Sequence, residues 1–107
     1  MLPTLREKRR YIVFEVVSDK KFTKEKVENA MYSSLLTLFG EYGFSLVNPK
    51  LIEFDEREQY GVIKFTREEV QKMRSSLAFV SKIDETVAVI HVKGISGTLK
   101  KLGKVRS

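Results

Sequence analysis

The residues of this sequence that could do chemistry are mainly carboxylates. The chain of 107 residues has 14 acids, one histidine and no cysteine, which excludes a thiol nucleophile, a cysteine-ligated metal and a histidine-rich metal site. The pairs Asp55-Glu56 and Glu68-Glu69 fall at an expected turn and an expected helix start, where solvation and the helix dipole account for them. His91 has no acid or nucleophile at a fixed spacing, so we assign it a surface or phosphate-contacting role. We expect no catalytic residue, no metal site and no cofactor in this chain.

Residues 94–97 form a short glycine-rich stretch, Gly-Ile-Ser-Gly. The stretch is too short for a P-loop and lacks the Gly-Lys-Ser/Thr ending of that motif. Two glycines around a serine let backbone N–H groups approach a phosphate closely. The stretch therefore favours phosphate binding over chemistry.

Basic residues are concentrated at both ends of the chain. Residues 1–10 contain four basic residues and one acid, and residues 93–107 contain five basic residues and no acid. The middle, residues 11–92, has 11 basic and 13 acidic residues, so the net charge of +6 comes wholly from the ends. Such runs are either solvated tails or parts of a phosphate-binding patch, and the fold decides between them.

Hydrophobic spacing predicts four strands and two helices. Thr23 is the expected cap of the first helix, which Gly40 and Gly43 end near residue 41, and the second helix starts at Thr66 or Arg67. The strands are expected at residues 10–18, 50–55, 59–66 and 86–92. The buried stripes are expected to be Val27, Met31, Leu35, Leu38 and Tyr42 on the first helix, and Val70, Met73, Leu77 and Val80 on the second.

The order β-α-β-β-α-β is typical of the ferredoxin-like fold, which the RNA-recognition fold shares. We predict one α+β domain, residues 1–107, built as a two-layer sandwich with a four-stranded antiparallel sheet in the order four-one-three-two. It has a basic N-terminal arm, residues 1–10, and a basic C-terminal segment, residues 93–107, with a short helical segment. Because the first and fourth strands are neighbours in this order, the two basic ends form one patch, which favours phosphate binding.

Strand alternation predicts a core side and an outer side of the sheet. The outer side carries an apolar patch of a size seldom left in water, covered by the C-terminal segment through Leu99 and Leu102, by a partner protein, or by bases that stack on tyrosines. The third strand matches an RNA-recognition motif only in part, because Val62 replaces a stacking aromatic. The core side is expected to hold Ile12, Phe14, Val16, Ile63, Phe65, Ala88, Ile90 and Val92. The outer side is expected to hold Tyr11, Val13, Glu15, Tyr60, Val62, Lys64, Val87, Val89 and His91.

A second apolar stripe on the first helix lies about 100° around from the buried one. It is either a wide core contact or a surface for a protein partner. With one valine of the outer sheet face, the stripe makes up the predicted partner interface: Tyr32, Leu36, Phe39 and Val62.

Both ends of the chain carry distinctive motifs. Residues 2–12 read Leu-Pro-Thr-Leu-Arg-Glu-Lys-Arg-Arg-Tyr-Ile, and residues 92–101 read Val-Lys-Gly-Ile-Ser-Gly-Thr-Leu-Lys-Lys. Together with the length and the element order, they resemble the archaeal ribonuclease P protein component 2 family, counterpart of the small Pop-type subunit of the eukaryotic enzyme. The second motif is the most specific part of this resemblance, which spans essentially the whole chain.

The resemblance implies a non-catalytic subunit of a ribonucleoprotein that removes the 5′ leader of precursor tRNA. The RNA is the catalyst in that family, so the holoenzyme is expected to need the catalytic RNA and magnesium. The implied partners are the ribonuclease P RNA, precursor tRNA, the TIM-barrel-like protein component 3 and a second copy of the chain, with no membrane partner. The expected compartment is the cytoplasm, since the N-terminal residues lack a secretory signal.

The converging ends supply the expected RNA-binding residues. Two other classes of function stay open: a regulatory or small-molecule-binding module of ferredoxin-like shape without an RNA partner, and an independent nuclease that uses the acids with a metal. The RNA-binding set is Lys8, Arg9, Arg10, Lys93, Gly94, Ser96, Gly97, Thr98, Lys100 and Lys101.

Overall fold

Two helices cover one face of a twisted sheet in the computed structural model, which describes residues 8–97. The strand pairs described are antiparallel, and the strands lie in the order β2-β3-β1-β5-β4. A 3-10 turn, Arg67–Glu69, leads into the second helix. The elements are β1 (Arg9–Ser18), α1 (Lys24–Val47), β2 (Lys50–Asp55), β3 (Tyr60–Thr66), α2 (Val70–Phe79), β4 (Lys82–Ile83) and β5 (Thr86–Ser96).

The predicted ferredoxin-like arrangement is confirmed, with one additional strand. The four predicted strands are β1, β2, β3 and β5, in the predicted spatial order. The fifth strand, β4, has two residues and pairs with the start of β5. Asp84 and Glu85 connect the two strands with φ of 50° and 67°. Positive φ at both positions is typical of the two-residue hairpin turn that prefers Asn-Gly, so Asp-Glu does not predict it.

The predicted core side of the sheet is confirmed. Its side chains pack against both helices, as does the predicted stripe of α2, and Val92 packs against the same core while remaining partly exposed. Full burial of such a side chain contributes about 1.5–3 kcal/mol, so this face supplies most of the hydrophobic stabilisation. The buried strand residues are Ile12, Phe14, Val16, Ile63, Phe65, Ala88 and Ile90.

Helix α1 is broken at Gly40, close to its predicted end near residue 41. Thr23 caps its start as expected. Gly40 interrupts the helical geometry with φ 70° and ψ −176°, a conformation that only glycine adopts readily. The second helical segment, which follows the break in a new direction and ends at Val47, was not predicted.

The break in α1 changes which side chains are buried after it. Val47 is fully buried, whereas Leu38 is 38% and Tyr42 79% exposed. The predicted stripe is correct for its first three members and wrong for Leu38 and Tyr42. A straight helix would have carried the stripe past residue 40, and the change of direction at Gly40 prevents this.

The outer face of the sheet carries a small second core. Val13 and Val62 are Cα partners on β1 and β3, and they are 1% and 5% exposed. Tyr11, Ile52 and Tyr60 pack around them. The register shifts on both sides of this pair, within the β2–β3 and β1–β5 ladders, and such bulges bend a sheet and increase its twist. Three other valines of the outer face are at least half exposed: Val17, Val87 and Val89.

Part of the predicted chain lies outside the described residues. The predicted C-terminal helical segment, with Leu99 and Leu102, lies outside them. So do three members of the predicted RNA-binding set: Thr98, Lys100 and Lys101. Within residues 8–97, no helix combines the length and the apolar character that a membrane crossing requires.

Candidate nucleic-acid interface

The start of β1 lies beside the end of β5, as the strand order predicts. Tyr11 pairs with Ser96, and Val13 pairs with Gly94. Lys8 is exposed just before β1, and its carbonyl oxygen accepts a hydrogen bond from the Arg67 N–H at 2.9 Å. The first described basic residues and the last described residues of the chain therefore share one edge of the molecule, called here the basic edge.

Arg10 and Gly97 meet at the basic edge. A Cβ atom built on Gly97 would lie 3.1 Å from Nη1 of Arg10, so the glycine leaves room for the guanidinium. A guanidinium binds phosphate oxygens through paired N–H donors. The contact places such a group where the two ends of the chain converge.

Arg9 uses part of its guanidinium within the chain. Its Nη2 donates to the Asn48 carbonyl at 2.7 Å, just after α1, where Asn48 has left-handed φ and its N–H caps the Phe44 carbonyl. A cation near a helix C-terminus is stabilising. Arg9 therefore supports the fold besides adding positive charge to the surface.

Lys93 is bound to the outer face of the sheet. Its Nζ lies 3.5 Å from Oε1 of Glu15 and 6.0 Å from the ring centroid of Tyr60. Both charged side chains are about one third exposed, so the ion pair contributes at most about 1 kcal/mol. The charge of Lys93 is therefore partly neutralised by Glu15.

The glycine-rich stretch belongs mostly to β5. This strand was predicted to end at residue 92, but it continues to Ser96. Gly94 and Ser96 are partners in the ladder with β1, and Ser96 is 9% exposed. Gly94 and Ser96 are thus part of the sheet, and Gly97 is the first residue after β5.

Tyr32, a predicted partner residue, joins α1 to β2. Its hydroxyl donates to the Pro49 carbonyl at 3.3 Å and accepts from the Leu51 N–H at 3.2 Å. Burial raises the pKa of this hydroxyl, and the nearby Glu28 carboxylate adds to the shift. The ring is therefore engaged in contacts within the chain.

The other predicted partner residues differ in exposure. Val62 belongs to the second core. Phe39 is half-buried against the main core, and the Lys72 ammonium lies 5.9 Å from its ring centroid. Leu36 is 40% exposed and is thus the most accessible of the four predicted residues.

Other apolar side chains are exposed on the second half of α1. Leu38, Tyr42 and Leu46 are 38%, 79% and 37% exposed. The spacing of four residues places Tyr42 and Leu46 on one side of the helix after the break, whereas Leu38 lies before the break at Gly40. Sequence reasoning assigned Leu38 and Tyr42 to the core, and the position of Gly40 inside the stripe was the signal against it.

Sequence reasoning also missed a pair of lysines on the outer face. Lys50 of β2 and Lys64 of β3 are Cα partners. Lys64 was placed on this face by alternation, but the pairing depends on the register of the β2–β3 hairpin. The shift between Leu51 and Glu53 sets that register.

The described residues contain no cluster of three or more His, Asp or Glu side chains that could hold a metal ion. His91 is exposed and lies opposite Glu15 in the ladder between β1 and β5.

A groove of about 460 Å³ lies between α1 and β4. The Lys26 Nζ and the Asp84 Oδ2 form an ion pair of 2.7 Å at its lining, and the hydrogen bond from Lys26 lowers the pKa of Asp84. Phe79, 53% exposed, lines another part. This groove is where the small-molecule alternative would place a ligand, which would compete with the ion pair.

Comparison with known proteins agrees with the fold and with the family that the sequence resembles. Residues 10–105 match the model of the Rpp14/Pop5 family. A chain of yeast ribonuclease MRP solved by cryo-EM has the same fold, with a TM-score of 0.72 at 13% identity over 94% of this chain and 90% of that chain.

Curated archaeal proteins are similar over nearly the whole length. Ribonuclease P protein component 2 of Pyrococcus furiosus is 43% identical and that of Pyrococcus horikoshii 42% identical, each over 94% of this chain and 83% of the relative. The protein of the same name from Methanococcus aeolicus is 36% identical over 92% of this chain and 72% of the relative. With the family match over residues 10–105, these similarities show that the chain belongs to the Rpp14/Pop5 family.

Proposed function

We propose that this chain is an RNA-binding protein subunit of ribonuclease P that supports 5′-leader removal from precursor tRNA. The observation that carries the proposal is the pairing of the start of β1 with the end of β5, which brings the basic residues 8–10 beside residues 96 and 97 in a chain of this family. The relatives named ribonuclease P protein component 2 support this function.

The basic edge suits phosphates better than a specific base. Lys8 is exposed there, and Arg10 presents its guanidinium beside Gly97. Contacts of this kind position a protein on RNA and make its affinity depend on salt. The sequence adds Lys100 and Lys101 directly after this edge. The chain thus binds through the RNA backbone and leaves catalysis to the RNA, with magnesium supplied in the holoenzyme.

Reconstitution tests this function directly. Cleavage of a precursor tRNA is measured with the ribonuclease P RNA, protein component 3 and magnesium, with and without this chain. We expect the chain to increase the cleavage rate and to have no cleavage activity with magnesium alone. Cleavage by the chain without the RNA would contradict the non-catalytic assignment, and an unchanged rate would contradict the subunit assignment.

His91→Ala provides a second test of the non-catalytic assignment. We expect only a modest loss of holoenzyme activity, because His91 is exposed and faces Glu15. Removal of a general base would cost roughly two to four orders of magnitude, and a loss of that size would contradict the assignment.

The basic edge is tested by charge removal. The variant Lys8→Gln/Arg10→Gln/Lys100→Gln/Lys101→Gln spares Arg9, which bonds to Asn48. We expect much weaker RNA binding and a salt dependence reduced by at most about one phosphate contact per residue. The control, Lys20→Gln/Lys82→Gln, neutralises two exposed lysines beyond the other end of β1, so the two variants are compared per charge removed. Equal affinity and salt slope in both variants would exclude RNA binding through this edge.

A protein partner is the second part of the proposal. Exposed Tyr42 and Leu46, four residues apart after the break at Gly40, supply an apolar surface with an aromatic side chain of the kind that often anchors protein interfaces. We assign this surface to protein component 3, with a second copy of the chain as the alternative. Tyr42→Ala should weaken the assembly by about 2 kcal/mol or more, whereas Glu41→Ala should not. Calorimetry with component 3 and sedimentation of the chain alone measure the two cases, and wild-type behaviour in both would exclude this surface.

A further inference from the structure

A row of polar side chains crosses the outer face of the sheet. Lys50 of β2 pairs with Lys64 of β3, Lys64 pairs with Tyr11 of β1, and Tyr11 pairs with Ser96 of β5. For the first three residues, the next residue along each strand is buried in the core between sheet and helices, so alternation places them on the outer face. We call these four residues the lysine row.

The two lysines of the row repel each other. Like charges directly opposite in a ladder are destabilising, and within residues 8–97 neither lysine side chain forms an ion pair or hydrogen bond. Arg9 adds a third cation nearby, since its guanidinium is bonded to the Asn48 carbonyl two residues before Lys50. An anion between the lysines would turn this repulsion into attraction.

We infer that Lys50 and Lys64 bracket a phosphate of the RNA, so that an unpaired RNA segment continues from the basic edge across the outer face along the lysine row. The inference rests on the proposed function and extends it to a second surface. Neighbouring strands are about 4.8 Å apart, so the row spans roughly 14 Å, which is enough for more than one nucleotide.

Tyr11 favours RNA over an acidic protein as the occupant. Its ring is partly exposed beside Lys64 and rests on the second core, which fixes its orientation. An aromatic ring next to cations is the arrangement that binds an unpaired base and its phosphate together. The row also joins the basic edge through Ser96 and Gly97 without a gap in the chain. A carboxylate surface would use the lysines but not the ring.

The test measures binding of a labelled single-stranded oligouridine and of the ribonuclease P RNA by anisotropy over a range of KCl concentrations. Lys50→Gln/Lys64→Gln should bind both RNAs roughly tenfold more weakly, with the salt slope reduced by about one. Tyr11→Leu should weaken oligouridine binding about fivefold or more, and Tyr11→Phe should retain wild-type affinity because the ring is kept. Thermal melts establish that each variant is folded.

The control variant Lys20→Gln/Lys82→Gln removes the same charge far from the row and should bind like the wild type. If the Lys50/Lys64 variant matches this control in affinity and salt slope, the inference is wrong. It is also wrong if that variant loses only binding to component 3, which would identify a protein carboxylate as the anion. The inference is also wrong if the wild-type chain binds inorganic phosphate through these lysines while the Lys50/Lys64 variant keeps its full RNA affinity.

The result separates this inference from the proposed function. If wild-type chain binds RNA and the basic-edge variant weakens that binding while the Lys50/Lys64 variant does not, only the lysine row is rejected. If wild-type chain binds neither RNA, both are rejected.

Discussion

At the scale of single residues, Tyr32 acts as a polar link inside a largely apolar contact. Its hydroxyl satisfies a carbonyl and an N–H at the start of β2, and burial raises its pKa. The folded state therefore keeps the phenolic proton to a higher pH than the unfolded state. Below pH 10 the link contributes fully to stability, and above it the contribution falls as pH rises toward the folded pKa.

Tyr32→Phe tests this link. We expect a loss of about 1–2 kcal/mol in the free energy of unfolding near pH 8, because the N–H and the carbonyl lose their partner. The difference from wild type should shrink above pH 10, since phenylalanine does not titrate. Urea unfolding at both pH values measures it, with Tyr42→Phe, an exposed ring, as control. A difference that is constant or widens with pH would contradict the assignment.

Gln59 is a residue whose role only the structure reveals. It is 6% exposed, with φ 58°, just before β3. Its Oε1 accepts from the Phe22 N–H at 3.0 Å, and its Nε2 donates to the Phe22 and Glu56 carbonyls. These bonds hold the loop between β1 and α1 against the hairpin turn. The sequence predicts Gln59 as the first residue of a strand, because a single glutamine gives no signal that it links two loops.

Gln59→Ala should therefore destabilise the fold. Its loss leaves the buried Phe22 N–H without a partner, and we expect a cost of about 2–4 kcal/mol. Glu58→Ala, one residue earlier and exposed, should change stability by about 0.5 kcal/mol or less. Chemical denaturation compares the two variants, and equal midpoints would refute the role of Gln59.

Residue placement was predictable wherever it depended on alternation alone. Ile12, Phe14 and Ile63 follow from strand periodicity and lie in the core. The pairing of Lys50 with Lys64 does not follow from alternation. Asp55 pairs with Tyr60, and in a hairpin without a bulge this register would place Lys50 opposite Phe65. The extra residue at Ile52 shifts the register by one. No single residue type marks such a bulge in advance.

At the scale of elements, the break in α1 separates a core-packing segment from a segment in which Tyr42 and Leu46 are exposed. Apolar spacing predicted the helix and its cap but not its continuation, because glycine near a helix end usually terminates it. Here Gly43 instead allows close packing: a Cβ atom there would lie 2.5 Å from the Phe39 Cβ. Tertiary contacts, including the burial of Val47, outweigh the local preference.

Gly40→Ala tests whether the fold requires the break. A Cβ built at Gly40 meets no atom within 4 Å apart from its chain neighbours and the adjacent helix backbone, so the cost arises mainly from the backbone conformation. We expect a loss of about 1–3 kcal/mol, against a change of about 0.5 kcal/mol or less for exposed Glu41→Ala. Thermal and urea unfolding measure both. Wild-type stability in Gly40→Ala would mean that a straight helix is accommodated equally well.

At the scale of the whole molecule, topology turns two distant sequence segments into one surface. This part of the site was predictable because the order of elements fixes which strands are neighbours. The sequence did not predict which residues of the C-terminal region belong to the sheet and which lie beyond it. The bulge at Lys93 turns that lysine toward Glu15 and allows β5 to continue to Ser96. Residues 94–96 thus belong to the sheet, with Ser96 at the end of the lysine row, and the part of the C-terminal segment beyond the sheet starts at Gly97.

Two truncations distinguish the strand from the binding segment. A chain ending at Gly97 keeps all of β5, so we expect it to melt within a few degrees of the full chain. It should bind RNA more weakly, because it has lost three lysines and one arginine.

A chain ending at Val92 loses the partners of Tyr11, Ile12 and Val13. The β1 start would then lack one neighbour, and the loss of three ladder pairs should destabilise the fold by several kcal/mol, at about 0.5–1.5 kcal/mol per hydrogen bond. Circular dichroism melts and RNA anisotropy are measured on the same samples. If the chain ending at Gly97 unfolds as readily as the shorter one, residues beyond the sheet stabilise the outer face, and the assignment of that segment to RNA alone is wrong.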